Sequence, residues 1–329
     1  MSVKIGYWTP QERYEPSRLL GNAVLAEKHG FETVVTSDHF HPWFHANANS
    51  AYSWIWMAAV AERTEHMEIG TGVTAPTMRY HPALVAQAFA TLGSLYPGRI
   101  ILGLGTGEAM NEMPFGNKWP PYDERLRRLE EAVEVIRALW SGEFISHRGT
   151  YYRLNNAKIY TLPRRPIPIF MAAGGPRAAE LAGRVADGLL TVVISPEHYR
   201  GIIRPAFERG AKAAGKNPES LEKMIELKIS YDEDYEAAER SCRCWMSSEV
   251  PNIISLPISD PRELEGLGKR KGNISAWHIT TNPEDHITMI EKHIKLGFNR
   301  IQLHSSSPDE AKFIERYGRE VLPYFKENY

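Results

Sequence analysis

The sequence predicts a (β/α)8 barrel, a TIM barrel of the α/β class, on three observations. Eight short, β-branched and almost continuously apolar runs recur along the chain, the pattern of parallel strands buried on both faces. Longer stretches of helical period separate them, and eight βα units in succession favour a closed barrel over a doubly wound open sheet. The length of 329 residues is large for one domain, yet barrels of about 250 residues or more often remain single.

The strand candidates are residues 4–8 (KIGYW), 33–37 (TVVTS), 67–73 (MEIGTGV) and 99–105 (RIILGLG), followed by 167–172 (IPIFMA), 188–194 (GLLTVVI), 225–231 (IELKISY) and 299–304 (NRIQLH). Between them, residues 123–140 show the helical period well, with Leu126, Leu129, Val133, Ile136 and Leu139 on one face. Residues 240–282 break the rhythm and carry an extra strand-like stretch, 276–281 (AWHITT). They read as an insertion before the last helix and strand of a single domain spanning 1–329. No internal repeat, linker or low-complexity tract interrupts it.

Composition excludes several classes. Hydrophobic residues make up 43% and charged residues 24%, with 39 basic against 40 acidic side chains and a formal net charge of -1. That balance offers no face for a polyanion, and nucleic acid is not expected as a partner. No apolar run approaches the roughly 18 residues of a membrane helix. The N-terminus reads as a strand from the start, without a basic leader. Cys242 and Cys244 are too few for a disulfide framework. A cytoplasmic protein without membrane contact is the expectation.

In a barrel of this type chemistry sits at the C-terminal ends of the strands, and the polar and special residues cluster there. The second strand runs into Ser37, Asp38, His39, Phe40, His41, Pro42 and Trp43. A histidine there can take a proton from a substrate hydroxyl, with Asp38 orienting it or meeting a cofactor; a structurally bonded histidine in a polar loop explains the same letters. The His39-x-His41 spacing also occurs in metal sites, but three or four ligands must converge on a metal, and the fifth and sixth strand ends, AAGG and Val193-Ile194, offer none. No metal is expected. The third strand ends in small residues around Gly72 and Val73, which either let a flat ring lie against backbone or form a plain turn. The fourth ends in GLGTGEAMNE (103–112), which is not the dinucleotide fingerprint; Glu108 beside three glycines is placed to meet a ligand. After the fifth strand, Ala173, Gly174, Gly175 and Pro176 precede a helix, a seat for phosphate or simply a helix entry with proline at its first position.

Together these stretches resemble the F420-dependent glucose-6-phosphate dehydrogenase branch of the luciferase-like superfamily. The resemblance is carried by SDHFHPW (37–43), MRYHPALVAQAFATLGSLY (78–96), GLGTGEAMNE (103–112), AAGGP (172–176) and KMIELKISYD (223–232), in order along almost the whole chain. It implies coenzyme F420 as cofactor, a homodimer, and an oxidoreductase that moves hydride from a substrate hydroxyl carbon to C5 of the deazaflavin. His39 is then similar to the family's base, Glu108 to the acid that protonates N1 of the ring, and Trp43 to the aromatic flanking the reacting carbon. Asp38, Gly72, Val73, Thr106, Gly107, Asn111, Ala173, Gly174 and Gly175 fall where the family holds the cofactor, with a cis peptide joining Gly72 and Val73.

The sequence departs from that branch where the sugar phosphate is gripped. By ungapped matching the family's two lysines and one arginine fall at Ser195, Ser255 and Ala276, a loss of charge-assisted bonds of about 1.5–3 kcal/mol each. The expectation is a sugar 6-phosphate held by other contacts (Ser195, Arg200, Ser255, His278 or the Lys269–Lys271 run), with a small secondary alcohol as the alternative. Phe40 to Ala51 resembles the F420-dependent secondary-alcohol dehydrogenases. An FMN-dependent monooxygenase and a non-catalytic barrel are the remaining rivals.

Overall fold

The structure is a computed structural model that describes residues 2–192 and 195–329. Its strands are β1 (Lys4–Thr9), β2 (Thr33–Thr36), β3 (Glu68–Thr71), β4 (Ile100–Leu104), β5 (Ile145–Arg148), β6 (Arg153–Ala157), β7 (Ile169–Ala172), β8 (Gly188–Thr191), β9 (Glu222–Tyr231), β10 (His278–Thr280) and β11 (Arg300–Ser305). Eight of them pair in parallel in the order β1-β2-β3-β4-β7-β8-β9-β11 and close on themselves through β11–β1 and β8–β9. The expected (β/α)8 barrel is therefore present. Each of the eight expected runs holds a barrel strand, although residues 193 and 194 of the sixth run lie outside the described residues.

One feature differs from the sequence reading, and the insertion carries the extra strand expected within 276–281. β5 and β6 form an antiparallel hairpin beyond the helix Tyr122–Leu139; its half-exposed residues carry no apolar run and read as loop. Residues 240–282 hold the end of the helix Tyr235–Cys242, two short 3₁₀ turns, the helix Pro261–Lys271 and β10, which pairs in parallel with the C-terminal end of β9 from Ile229 to Tyr231. No described helix is long and apolar enough to cross a membrane.

The strands are apolar on both faces because both are covered. Outward residues such as Val34, Ile69, Leu102 and Ile169 join the helices in the main core, which includes all five residues expected on the face of the helix Tyr122–Leu139. Inward residues Trp8, Val35, Ile101, Phe170, Leu190 and Met224 fill the barrel itself. At the N-terminal end, Arg300 bridges Glu68 and Glu222, and Lys4 reaches Glu68 at 2.8 Å. That end is locked by ion pairs, and the C-terminal end is left for chemistry.

Close helix packing sets the geometry beyond β7. The helices Pro176–Val185 and Arg204–Ala213 cross at Gly183 and Gly210; a Cβ on Gly183 would sit 2.0 Å from the Phe207 carbonyl oxygen. Alanine gains about 1 kcal/mol of helix propensity, but backbone cannot yield to such a clash, and overpacking costs about 1–3 kcal/mol or more. Gly183→Ala should therefore lower the thermal unfolding midpoint by several degrees; a midpoint at or above wild type would refute the close-packing account.

Candidate active site

A cleft of about 580 Å³ opens at the C-terminal ends of the barrel strands. Its floor is the apolar interior, and its walls come from the loops after β1, β2, β3, β4, β7 and β8 and from the ends of β9 and β11. Circular strand order puts β1 and β11 across the barrel from β4 and β7.

The central feature is a histidine between two carboxylates. His39 Nδ1 lies 2.6 Å from Glu12 Oε1 and Nε2 lies 3.1 Å from Glu108 Oε2. Burial alone would push the imidazole towards neutrality, but the two carboxylates outweigh it and raise its pKa to about 10. Glu12 is buried too; burial works against its charge, and His39 with the Ser37 hydroxyl (2.7 Å) brings its pKa below the ordinary carboxylate value. Asn111 donates to Glu108 at 3.0 Å while its own oxygen accepts from the backbone N–H of Phe40 and His41. That amide ties the β4 loop to the β2 loop and fixes Glu108 relative to His39. Trp43 stands edge-on to His39, with centroids 5.9 Å apart.

The expected cofactor positions gather in the same cleft. Gly72 and Val73, Thr106 and Gly107, and Ala173 to Gly175 all line it, and the Gly72–Val73 peptide is cis. Gly107 has φ of +83°, a conformation that favours glycine. Gly174 and Gly175 face open space, and the helix they lead into has no side chain capping its N-terminus. Asp38 does not orient His39. Its carboxylate accepts from Thr74 Oγ1 (2.6 Å) and Tyr80 Oη (3.1 Å) and neighbours Arg79.

The substrate positions separate. Ser255 lines the cleft. Ser195 caps the turn Pro196–His198, accepting from the His198 N–H. Arg200 is exposed on the following turn, and His278 on β10 packs against His286 of the helix Pro283–Lys295; neither lines the cleft. Lys269 is paired with Glu265 on the exposed helix Pro261–Lys271. His41 Nδ1 is 2.8 Å from the Ser259 carbonyl and does not converge with His39 on a common point.

Sequence reasoning missed four groups here. Glu12 follows β1 without any motif, and its only signal was its place at a strand end. Arg79 lines the cleft with its Nε lacking a hydrogen-bond partner, 3.8 Å from Glu112; burial raises Glu112 to about 7, more than Arg79 lowers it. Glu226 and Lys228 reach the cleft from β9, and their signal was two charges at alternate positions of a largely apolar run, IELKISY.

A family profile described as Luciferase-like monooxygenase matches residues 2–288. The chain belongs to this luciferase-like family. Within it, the chain is 41% identical over 327 residues to F420-dependent glucose-6-phosphate dehydrogenase 2 of Rhodococcus jostii, covering 98% of this chain and 97% of that one. An F420-dependent glucose-6-phosphate dehydrogenase of Nakamurella multipartita is 40% identical over 325 residues, covering 98% and 96%. Among solved structures, an F420-dependent secondary alcohol dehydrogenase in complex with an F420-acetone adduct superposes with a TM-score of 0.93 at 38% identity, covering 98% of this luciferase-like chain and 99% of that one.

The geometry makes a testable statement about charge. Replacing Glu12 by glutamine removes one of the two carboxylates at His39, so the imidazole pKa should fall by about 1–3 units. NMR titration of His39 in wild type and Glu12→Gln reads this directly; an unchanged titration would mean Glu12 does not set the charge.

Proposed function

We propose that this luciferase-like chain is an F420-dependent dehydrogenase that removes hydride from a hydroxyl-bearing carbon and handles the hydroxyl proton at His39. The observation that carries the reading is His39 held between Glu12 and Glu108 in the barrel-mouth cleft. The names of its relatives supply the cofactor.

The residues present fit that cofactor. The cleft volume lies within the roughly 300–1,000 Å³ of small-molecule sites, and its floor at Gly72 and Val73 is apolar beneath. Gly174 and Gly175 leave open space before an uncapped helix N-terminus, which suits a phosphodiester. Asp38, Thr106, Gly107, Asn111 and Ala173 complete the walls that would hold it. When bound, F420 supplies the carbon that accepts the hydride.

The chain's own part is proton management and positioning. His39 is charged at neutral pH in the protein without ligand, so it serves ketone reduction directly as a proton donor. For alcohol oxidation it must first lose that proton, and Glu12 stands 2.6 Å away on the side opposite Glu108. Oxidation should therefore rise with pH through the neutral range toward about 10. Reduction should hold until that point and then fall. Trp43 shields the reacting end from water with Trp245 and Phe44 behind it.

The relatives name two substrate classes, glucose 6-phosphate and secondary alcohols. A homodimer is the proposed assembly, supported by the exposed Ile55 on the helix Ser53–Arg63 and the exposed Leu84 and Leu95 on the helix Pro82–Leu95. A cytoplasmic location is supported by the two free thiols of Cys242 and Cys244.

The test is anaerobic mixing with oxidised F420 and alcohols while the cofactor's visible absorbance is followed. Wild type should bleach it, and His39→Ala should slow bleaching by about 10²–10⁴-fold while still binding F420. Equal rates in the two proteins would remove His39 from the mechanism, and absence of F420 binding by wild type would reject the dehydrogenase reading.

A further inference from the structure

The end of the cleft beside β1 is built by β9 and β11, which face β3 and β4 across the barrel in the circular strand order. Glu226 and Lys228 are two residues apart on β9, and His304 is in register with Lys228 on β11. His304 Nδ1 meets Glu226 Oε1 at 2.7 Å; its ring stacks on Trp8 and is flanked edge-on by Trp245 and Trp277. The Lys228 ammonium is ion-paired with the Glu249 carboxylate, which also accepts from the Ser248 hydroxyl at 3.2 Å.

Every cationic side chain among the described residues lining the cleft is already engaged. Arg79 lies between Asp38 and Glu112. Arg125 donates to the Pro120 and Gly107 carbonyls and stacks on Trp119. Arg177 is paired with Asp123, and Lys228 with Glu249. A phosphate ester brought to the β9–β11 end would lie beside the carboxylate of Glu226 and compete with Glu249 for Lys228, the only lysine among the described residues lining the cleft. In a partly buried site like charges repel strongly, and an anion that finds no free donor loses its water without compensation. An uncharged alcohol meets Trp43, Trp245, Ile254 and the hydroxyls of Ser248 and Ser255 instead.

We infer that the Lys228–Glu249 pair determines the substrate class: with Lys228 held internally, the site takes an alcohol that carries no phosphate, and Glu249 is the residue that excludes phosphate esters. This rests on the dehydrogenase reading of the same cleft. Glu249 acts through Lys228 and is a specificity residue, outside the His39 proton chemistry.

The experiment compares wild type, Glu249→Gln and the double variant Glu249→Gln/Lys228→Met in anaerobic F420 reduction. Substrates are 2-propanol, cyclohexanol, glucose and glucose 6-phosphate, with F420 affinity titrated in parallel. Wild type should oxidise an uncharged alcohol, and glucose 6-phosphate should not compete with it. Glu249→Gln should lower KM for glucose 6-phosphate by about tenfold or more, the worth of one charge-assisted bond. That gain should shrink as ionic strength rises and vanish in the double variant. Efficient oxidation of glucose 6-phosphate by wild type, competition by it against the uncharged alcohol, or an unchanged KM in Glu249→Gln would each overturn the inference. The two wild-type outcomes need no variant to fold. F420 binding with wild-type turnover of glucose 6-phosphate alone would sink this inference and leave the dehydrogenase standing; no F420 binding removes both.

Discussion

The site depends on one buried arrangement, an imidazolium between two carboxylates. Two negative groups and one positive group out of bulk water are costly unless each has a partner. Here Glu12 has His39 and Ser37, and Glu108 has His39 and Asn111. The three charged groups come from the ends of three barrel strands, β1, β2 and β4, so they meet only if the barrel closes with this register. Trp8 at the end of β1 pairs with Val35 on β2, and both belong to the packed interior that supports the cluster from below. Core and chemistry are therefore one mechanical unit at this end of the barrel.

The opposite side of the cleft follows a different rule. Around Gly174 and Gly175 the chain offers open backbone and a helix end, with the Arg177 guanidinium beside them paired with Asp123. The close crossing at Gly183 and Gly210 holds that helix against its neighbour. Paired carboxylates and imidazole stand where a proton must move, and open backbone is presented where a large anionic cofactor would rest. At the β9–β11 end the charges are present but paired internally, which makes that end polar without making it a receptor for phosphate.

Much of this was legible in the sequence. The barrel was visible because strands buried on both faces leave continuous apolar runs; His39, Glu108 and the glycine loops stood out because they interrupt those runs at their ends, and Trp43 only through the family resemblance. The hairpin β5–β6 was not, since its exposed and half-exposed polar residues, such as Ser146, His147 and Asn156, carry no apolar run. Glu12 was hidden because its importance lies in a contact with a residue on another strand, which no local pattern records. The placement of Arg200 and His278 outside the cleft has the same origin: they were offered as replacements for the missing cations, and a place on the chain does not give the direction a side chain takes. The pairing of Lys228 with Glu249 joins a strand to an irregular segment, and only the assembled fold brings them together.

The most direct test of the account is a crystal structure of the protein with oxidised F420. The account places the deazaflavin ring against Gly72 and Val73, its phosphodiester at Gly174 to Pro176, and His39 and Glu108 beside the ring's reacting edge. A ring bound elsewhere, such as in the hollow lined by Trp119, Arg128 and Tyr152, with His39 remote from it, would contradict the central claim.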